Sequence, residues 1–552
     1  MTDTRTHDVI VLGTGAAGLA AGLSAHDAGA DVGIYEKADH VGGTAAWSGG
    51  MVWMPNNPHM EALGIQDSFD EALTYIRSLT HGTVDEPVLQ SFVHNGPGVI
   101  SWLEAHTPAK FKVIENFPDY HPTQPGGKKN GGRTLMCPMF PFAQLGEWAD
   151  KVWVGNQLPV NISLDETTFG KGASRGPTAE DLAARKTADA RGTGQALMGA
   201  LLRGCLDRDM FPQTSAHATT LILEEGRVVG VRFGSEMKFE VRARRGVILA
   251  TGGFEQNPDL VRSFLRGPLD RPVSVPTNTG DGLKMAMRIG ADLGNMREAW
   301  WAPTIDVDRP GVGRFPFLVN GERSRPHSIM VNRAGRRFAN ESANYNAFGA
   351  AFHYLDVSTY DYSNHPAWLL FDHHYLQKFG LAGHFPPAKL PEWIETADSI
   401  EAMAKVIEVP ADQLAETVRA WNLSAVDGVD PDFGRGETTL DQWWGDREVG
   451  PTSAANVGPL DTPPYYAVQV RSGALGTKGG PRTDPHGRVL DVDGKQIPGL
   501  YAAGNVMASA MGMTYGGAGG TLGPALVFGW LSGRDAAHNA SRADHVSSGS
   551  SA

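Results

Sequence analysis

The 552-residue sequence predicts an α/β fold interrupted by a second domain, and three observations carry that expectation. An apolar run at 7–12 passes directly into the turn Gly13-Thr14-Gly15-Ala16-Ala17-Gly18 and an Ala/Leu-rich stretch. Apolar runs end in glycine again far downstream, at Ala250-Thr251-Gly252-Gly253 and Ala502-Ala503-Gly504-Asn505. Between about 300 and 470 this rhythm fades, and Trp, Pro and Asp become frequent.

Each element follows from local chemistry. Residues 7–12 (His-Asp-Val-Ile-Val-Leu) read as a short buried strand, and Leu19 to Ala28 as a helix. Residues 31–36 read as a second strand ending in Glu36. In this strand–turn–helix–strand–acid context a G-x-G-x-x-G match predicts a dinucleotide site. The glycines let backbone approach a pyrophosphate, and the helix N-terminus offers it free N–H groups. Glu36 stands where an acid accepts hydrogen bonds from ribose hydroxyls, which argues against a 2′-phosphate. A second patch, Gly42-Gly43-Thr44 and Ser48-Gly49-Gly50, suits a longer ligand whose flavin end lies beyond the first unit.

Further along, 60–106 and 178–208 predict helices, and 107–175, rich in Gly, Pro, Asn and Lys, predicts long loops. Thr219 to Ile248 predicts a β-meander with turns at Gly226-Arg227 and Gly234-Ser235. Glycine returns after 470, and an apolar helix is expected to about Ser532. The last dozen residues predict a disordered tail.

Composition narrows the function. Hydrophobic residues at 41% and charged residues at 20% are a globular balance, and the length suits two or three domains. The net charge of −13 argues against a nucleic-acid partner, which needs a basic excess. Cys137 and Cys205 are too few for a disulfide framework or a zinc site, so a reducing, cytoplasmic setting is expected. His373-His374 lacks partners at ligand spacing, and no metal is expected. The uncharged run Val9 to Ala25 is shorter than the ~20 residues that span a bilayer. Association with a membrane surface is left open.

Together GTGAAG, Glu36, VGGT, SGG, ATGGF, GLYAAGN and GGTLGPA resemble the fumarate-reductase-like flavoproteins, and within them the 3-ketosteroid Δ1-dehydrogenases, over nearly the whole length. The resemblance implies non-covalent FAD in a discontinuous Rossmann-type domain, here 1–300 plus 476–552, closed by an inserted α+β catalytic domain at 301–475. The expected FAD-binding residues are Gly13, Gly15, Ala16, Ala17, Gly18, Glu36, Lys37, Gly43, Thr44, Ser48, Gly49, Gly50, Ala250, Thr251, Gly252, Asp281, Gly504, Asn505, Gly520, Thr521 and Leu522. No His lies within 42–50 to attach the flavin covalently.

Desaturating a ketone needs an oxyanion stabiliser, a base for the α proton and a hydride acceptor. The resemblance implies that Tyr515, in MTYGGAGG, and the Gly519 N–H hold the ketone oxygen. It implies Tyr345, in GRRFANESANY, as base, and Tyr120, in FPDYHP, as its support through a hydrogen bond. Gly516 and Ala518 replace the family's two prolines, which should loosen this loop, and 128–190 is hard to align with the steroid enzymes. These departures leave the substrate open between a 3-ketosteroid and a smaller cyclohexanone-type ketone; the electron acceptor is not written in the sequence. The cluster Glu322-Arg323-Ser324-Arg325-Pro326-His327 with Arg333, Arg336 and Arg337 would clamp a dicarboxylate in a fumarate reductase. It reads instead as a solvated face with turns. Trp300-Trp301 and Trp443-Trp444 either line an apolar cavity or pack the core.

Overall fold

The computed structural model describes residues 4–167, 169–170, 177–234, 239–309 and 311–539. The expected disordered tail lies outside the described residues. The elements that position the site are, in chain order, β1 (Thr4–Leu12), α1 (Ala16–Asp27), β2 (Val32–Tyr35), β3 (Phe239–Leu249), β4 (Ala299–Arg309), α2 (Tyr345–Ala350), β5 (Tyr465–Thr477), β6 (Gln496–Ala502) and α3 (Leu522–His538).

The first sheet has the order β2–β1–β3–β6, all parallel, with Arg488–Leu490 antiparallel on β6. Val9, Ile10 and Val11 are wholly buried, as strands covered on both faces must be. Leu12 pairs with Tyr35 and with Leu249, and Leu249 pairs with Ala502. The four carboxyl ends are therefore level, and each runs into one of the segments singled out above. The meander strands Ala218–Glu224, Arg227–Phe233 and β3 pair as expected, and Ser235 of the second expected turn lies outside the described residues. On one face α1 packs closely on α3. Side chains at Gly529 and Gly533 would overlap the carbonyl oxygens of Ala17 and Ala21, so glycine sets this approach.

The second sheet is built around long β5. Its path runs from Gly313–Leu318 through β4, β5 and Ala367–Phe371 to Ser328–Val331, antiparallel throughout. Arg271–Pro272 and Glu395–Ala397 also pair with β5. β5 then delivers Gly476-Thr477-Lys478 to the carboxyl edge of the first sheet, where Gly480–Pro481 pairs with Leu293–Gly294.

One segment departs from the sequence expectation. Within 107–175, Lys112–Glu115 and Gly131–Met136 are strands, sheeted with Val52–Trp53. All six residues of Gly131–Met136 are buried. Its Arg133 is fully buried between Asp67 (2.7 Å) and Asp119 (2.8 Å). The Gly- and Lys-rich flanks hid a strand whose charge is neutralised by residues distant in sequence.

Candidate active site

One cavity is lined by the carboxyl ends of β1, β2 and β3, by 503–505, by Gly519, Thr521, Leu522 and Ala525, and by residues within 317–322 of the second sheet's region, with Tyr345 and Tyr515. Its first part fits a dinucleotide. Gly15 precedes α1 without any side-chain cap, and a Cβ there would meet nothing within 4 Å. The free N–H groups of the helix therefore open onto the cavity. Gly13, Ala16 and Ala17 line it beside Gly15. Gly18 does not: its missing side chain would overlap the Gly13 carbonyl, so it serves helix packing.

Glu36 lines the same end and accepts from Thr14 N (3.0 Å), Thr14 Oγ1 (2.6 Å) and Ala38 N (2.9 Å); burial pushes its pKa up against these hydrogen bonds. Lys37 donates to Asp281 at 2.7 Å, forming an ion pair at the rim. Gly43, Thr44, Ser48, Gly49, Gly50, Ala250, Thr251, Gly252, Gly504, Asn505, Thr521 and Leu522 also line the cavity. The Thr251 hydroxyl is buried without a partner, an orphan that a ligand oxygen would satisfy. Gly520 does not line the cavity; its missing Cβ would lie 2.9 Å from the Tyr515 ring. Asn278, which no motif marks, lines the cavity and donates to Thr44 Oγ1 (3.1 Å) and to buried Glu255 (2.7 Å).

The second part brings together three tyrosines that are far apart in sequence. The ring centroids of Tyr120 and Tyr345 are 5.5 Å apart, those of Tyr120 and Tyr515 5.2 Å, and those of Tyr345 and Tyr515 5.5 Å. All three pairs meet edge to face, the geometry aromatic quadrupoles favour. Tyr345 opens α2, whose N-cap Asn344 accepts from Ala347 N at 2.9 Å. Tyr345, Tyr515 and Gly519 line the cavity, whereas Tyr120 stands behind them. The Tyr120 hydroxyl is buried beside the Tyr345 phenol, close enough to interact with it but not at normal hydrogen-bond distance, and the two rings meet edge to face.

The loop expected to be loose is pinned. The Gly516 carbonyl accepts from Tyr120 N (2.9 Å) and Tyr75 Oη (2.6 Å). A Cβ on Gly516 would lie 3.0 Å from the Trp53 ring, which is itself anchored to Asp119 at 2.8 Å. Gly519 has φ +96°, and a side chain there would overlap the Met51 carbonyl, so only glycine fits. The Tyr515 hydroxyl shares a hydrogen bond of 2.8 Å with Thr521 Oγ1.

Burial dominates the electrostatics. It pushes the Tyr345 phenol well above its ordinary value, and the neighbouring Tyr120 and Tyr515 phenols push the same way. Tyr515 is also raised by burial, but the Thr521 hydroxyl, Tyr345 and the Gly519 and Thr521 amides oppose the shift. Those opposing groups favour negative charge on Tyr515 Oη, which makes the phenol a stronger hydrogen-bond donor toward a ketone oxygen.

One reading of the sequence is corrected, and one alternative it left open is resolved. Arg323 and Arg337 are buried rather than solvated. Arg337 is held by Glu341 and Asp430, both at 2.7 Å. Arg323 is engaged by the carbonyls of Val319 and Glu341 and by Asn320. Trp443 and Trp444 do not line the cavity; they pack edge to face on Phe117, and Trp444 also on Phe169, which does line it. Trp300 lies against Tyr515 at 4.8 Å and donates to Asn505 at 3.0 Å.

Residues 8–522 match the family described as an FAD binding domain. The chain belongs to this family. The flavoprotein is 40% identical over 560 residues to a 4-oxocyclohexanecarboxylate 2-dehydrogenase from Sinomonas cyclohexanicum, covering 100% of this chain and 96% of that one. It is 38% identical to a 3-oxosteroid 1-dehydrogenase from Mycobacterium tuberculosis, over 95% of this chain and 97% of that one. Its fold matches a crystal structure of 3-ketosteroid delta1-dehydrogenase from Sterolibacterium denitrificans with TM-score 0.89 and 35% identity, covering 97% and 99% of the two chains. The chain is an FAD-dependent oxidoreductase of the 3-oxosteroid dehydrogenase type. Among the described residues no helix is long and apolar enough to cross a membrane.

Proposed function

We propose that this flavoprotein desaturates a cyclic ketone, namely the 1,2 bond of a neutral 3-ketosteroid. The observation that carries the reading is the triangle of phenols at the wall of the FAD cavity, two of whose members line it. The ketone oxygen is held by Tyr515 Oη and the Gly519 N–H, which acidifies the α C–H. Tyr345, as phenolate, takes the α proton onto its oxygen. FAD, when bound, supplies the acceptor for the β hydrogen and its electron pair, and the double bond forms between the two carbons. Tyr120 and Trp300 hold the two phenols in place by packing, and FAD is reoxidised by a separate acceptor.

The walls favour a neutral substrate. Phe317, Leu318, Asn320, Gly321, Glu322, Tyr345 and Leu475 are the inserted region's share of the lining, and the one charge among them is the carboxylate of Glu322. Lys37 lines the cavity but is paired with Asp281. A dicarboxylate clamp is disfavoured, because Arg323 and Arg337 are occupied within the fold. A second reading, a small cyclohexanone carboxylate, is favoured by the 40% identical relative that carries that substrate in its name.

Anaerobic mixing of the holoenzyme with 4-androstene-3,17-dione, 4-oxocyclohexanecarboxylate or succinate tests this. The steroid should bleach the flavin fastest. Faster bleaching by the carboxylate selects the second reading, and bleaching by succinate alone rejects both.

A further inference from the structure

Lys478 is wholly buried, yet among the described residues no carboxylate lies within ion-pair distance of its Nζ. The acid whose charge acts on it, Glu298, is paired with Arg266 at 3.2 Å and accepts from Trp301 Nε1 at 3.3 Å. Burying an amine without a counter-ion is costly, so what it touches is informative. Nζ donates to the Thr514 carbonyl at 2.7 Å and to Asn346 Oδ1 at 3.3 Å, and sits 4.2 Å from the Trp300 ring centroid. Thr514 precedes Tyr515 and Asn346 follows Tyr345. One nitrogen thus ties the residue beside each cavity-lining phenol. On the other side of Tyr345, Asn344 Nδ2 donates to the Tyr120 carbonyl at 3.3 Å.

We infer that Lys478 is a positioning residue, bridging the Tyr515 loop to the Tyr345 helix through Thr514 O and Asn346 Oδ1 and so fixing the spacing of the two phenols. This inference rests on the proposed function. The bridge tolerates loss of the proton: burial depresses the Lys478 pKa to about 7, and a neutral amine keeps two N–H groups for its two acceptors. The other titratable groups facing it are Glu298 and Arg266, already paired, and His121, driven neutral by burial with a pKa of about 4.

The test is a double-mutant cycle in the FAD-loaded enzyme with 4-androstene-3,17-dione. K478M and N346A should each lower kcat by roughly 10- to 100-fold, the cost of misplacing reacting groups by about 1 Å. KM should change less than about threefold, and the double variant should be no slower than K478M. A K478M kcat within about twofold of wild type, or losses that multiply in the double variant, overturns the inference. If K478M does not fold, N346A alone decides by the same kcat criterion. If the wild type oxidises no ketone, the functional reading fails, and the bridge is judged by alkaline ultraviolet titration of the phenols. A midpoint shifted in K478M supports it, and an unchanged midpoint rejects it.

Discussion

Tyr515 Oη and Thr521 Oγ1 lie 2.8 Å apart, so the phenol expected to grip the ketone is itself gripped by the residue that leads into α3. With Gly519 at φ +96° in between, the turn brings the Thr521 hydroxyl back onto the phenol. The proposed oxyanion site is thus built from seven consecutive residues, 515–521, rather than from distant ones.

Removing the Thr521 hydroxyl should weaken that grip. T521V is expected to lower kcat by about tenfold, the worth of one hydrogen bond of about 1 kcal/mol or slightly more. Steady-state kinetics with FAD saturating checks this, and an unchanged kcat removes Thr521 from the account.

The pH profile has a defined sign. In the proposed reaction Tyr345 acts as phenolate, and burial raises its pKa above the ordinary 10.0. Below that value the phenolate fraction grows about tenfold per pH unit. Initial rates should therefore climb from about pH 7 to about pH 10 without a plateau. A plateau below about pH 8 points to a different base.

Glycine substitutions should separate folding from cofactor binding. G15A adds a Cβ where no protein atom lies within 4 Å, at φ −67°. The FAD-free chain should melt as wild type does, while FAD affinity falls. G519A forces a side chain onto the Met51 carbonyl at positive φ, at a cost of about 1–3 kcal/mol. It should lower both the melting temperature and kcat. Fluorescence titration with FAD and thermal melts distinguish the two outcomes.

Much of this was legible in the sequence because it is local. The β1–turn–α1–β2 unit and its acid lie within thirty-odd residues, so residue order alone carries their geometry. Tyr345 and Tyr515 stand out through the segments around them, and both line the cavity. What escaped notice depends on partners distant in the chain. Arg133 looks like a surface residue until Asp67 and Asp119 enclose it, and Arg323 until carbonyls satisfy it. Lys478 sits in an unremarkable Gly-rich stretch, and its neighbours Asn346 and Thr514 come from separate elements. The looseness expected of the 516–518 loop failed for the same reason, since Tyr75, Tyr120 and Trp53 supply the rigidity that proline would have provided.

Single-turnover flavin reduction by 4-androstene-3,17-dione, compared between wild type and Y345F, tests the central claim most directly. The account expects Y345F to retain bound yellow FAD and to reduce it at least about 100-fold more slowly, as loss of a general base requires. Reduction at the wild-type rate would show that some other group strips the α proton.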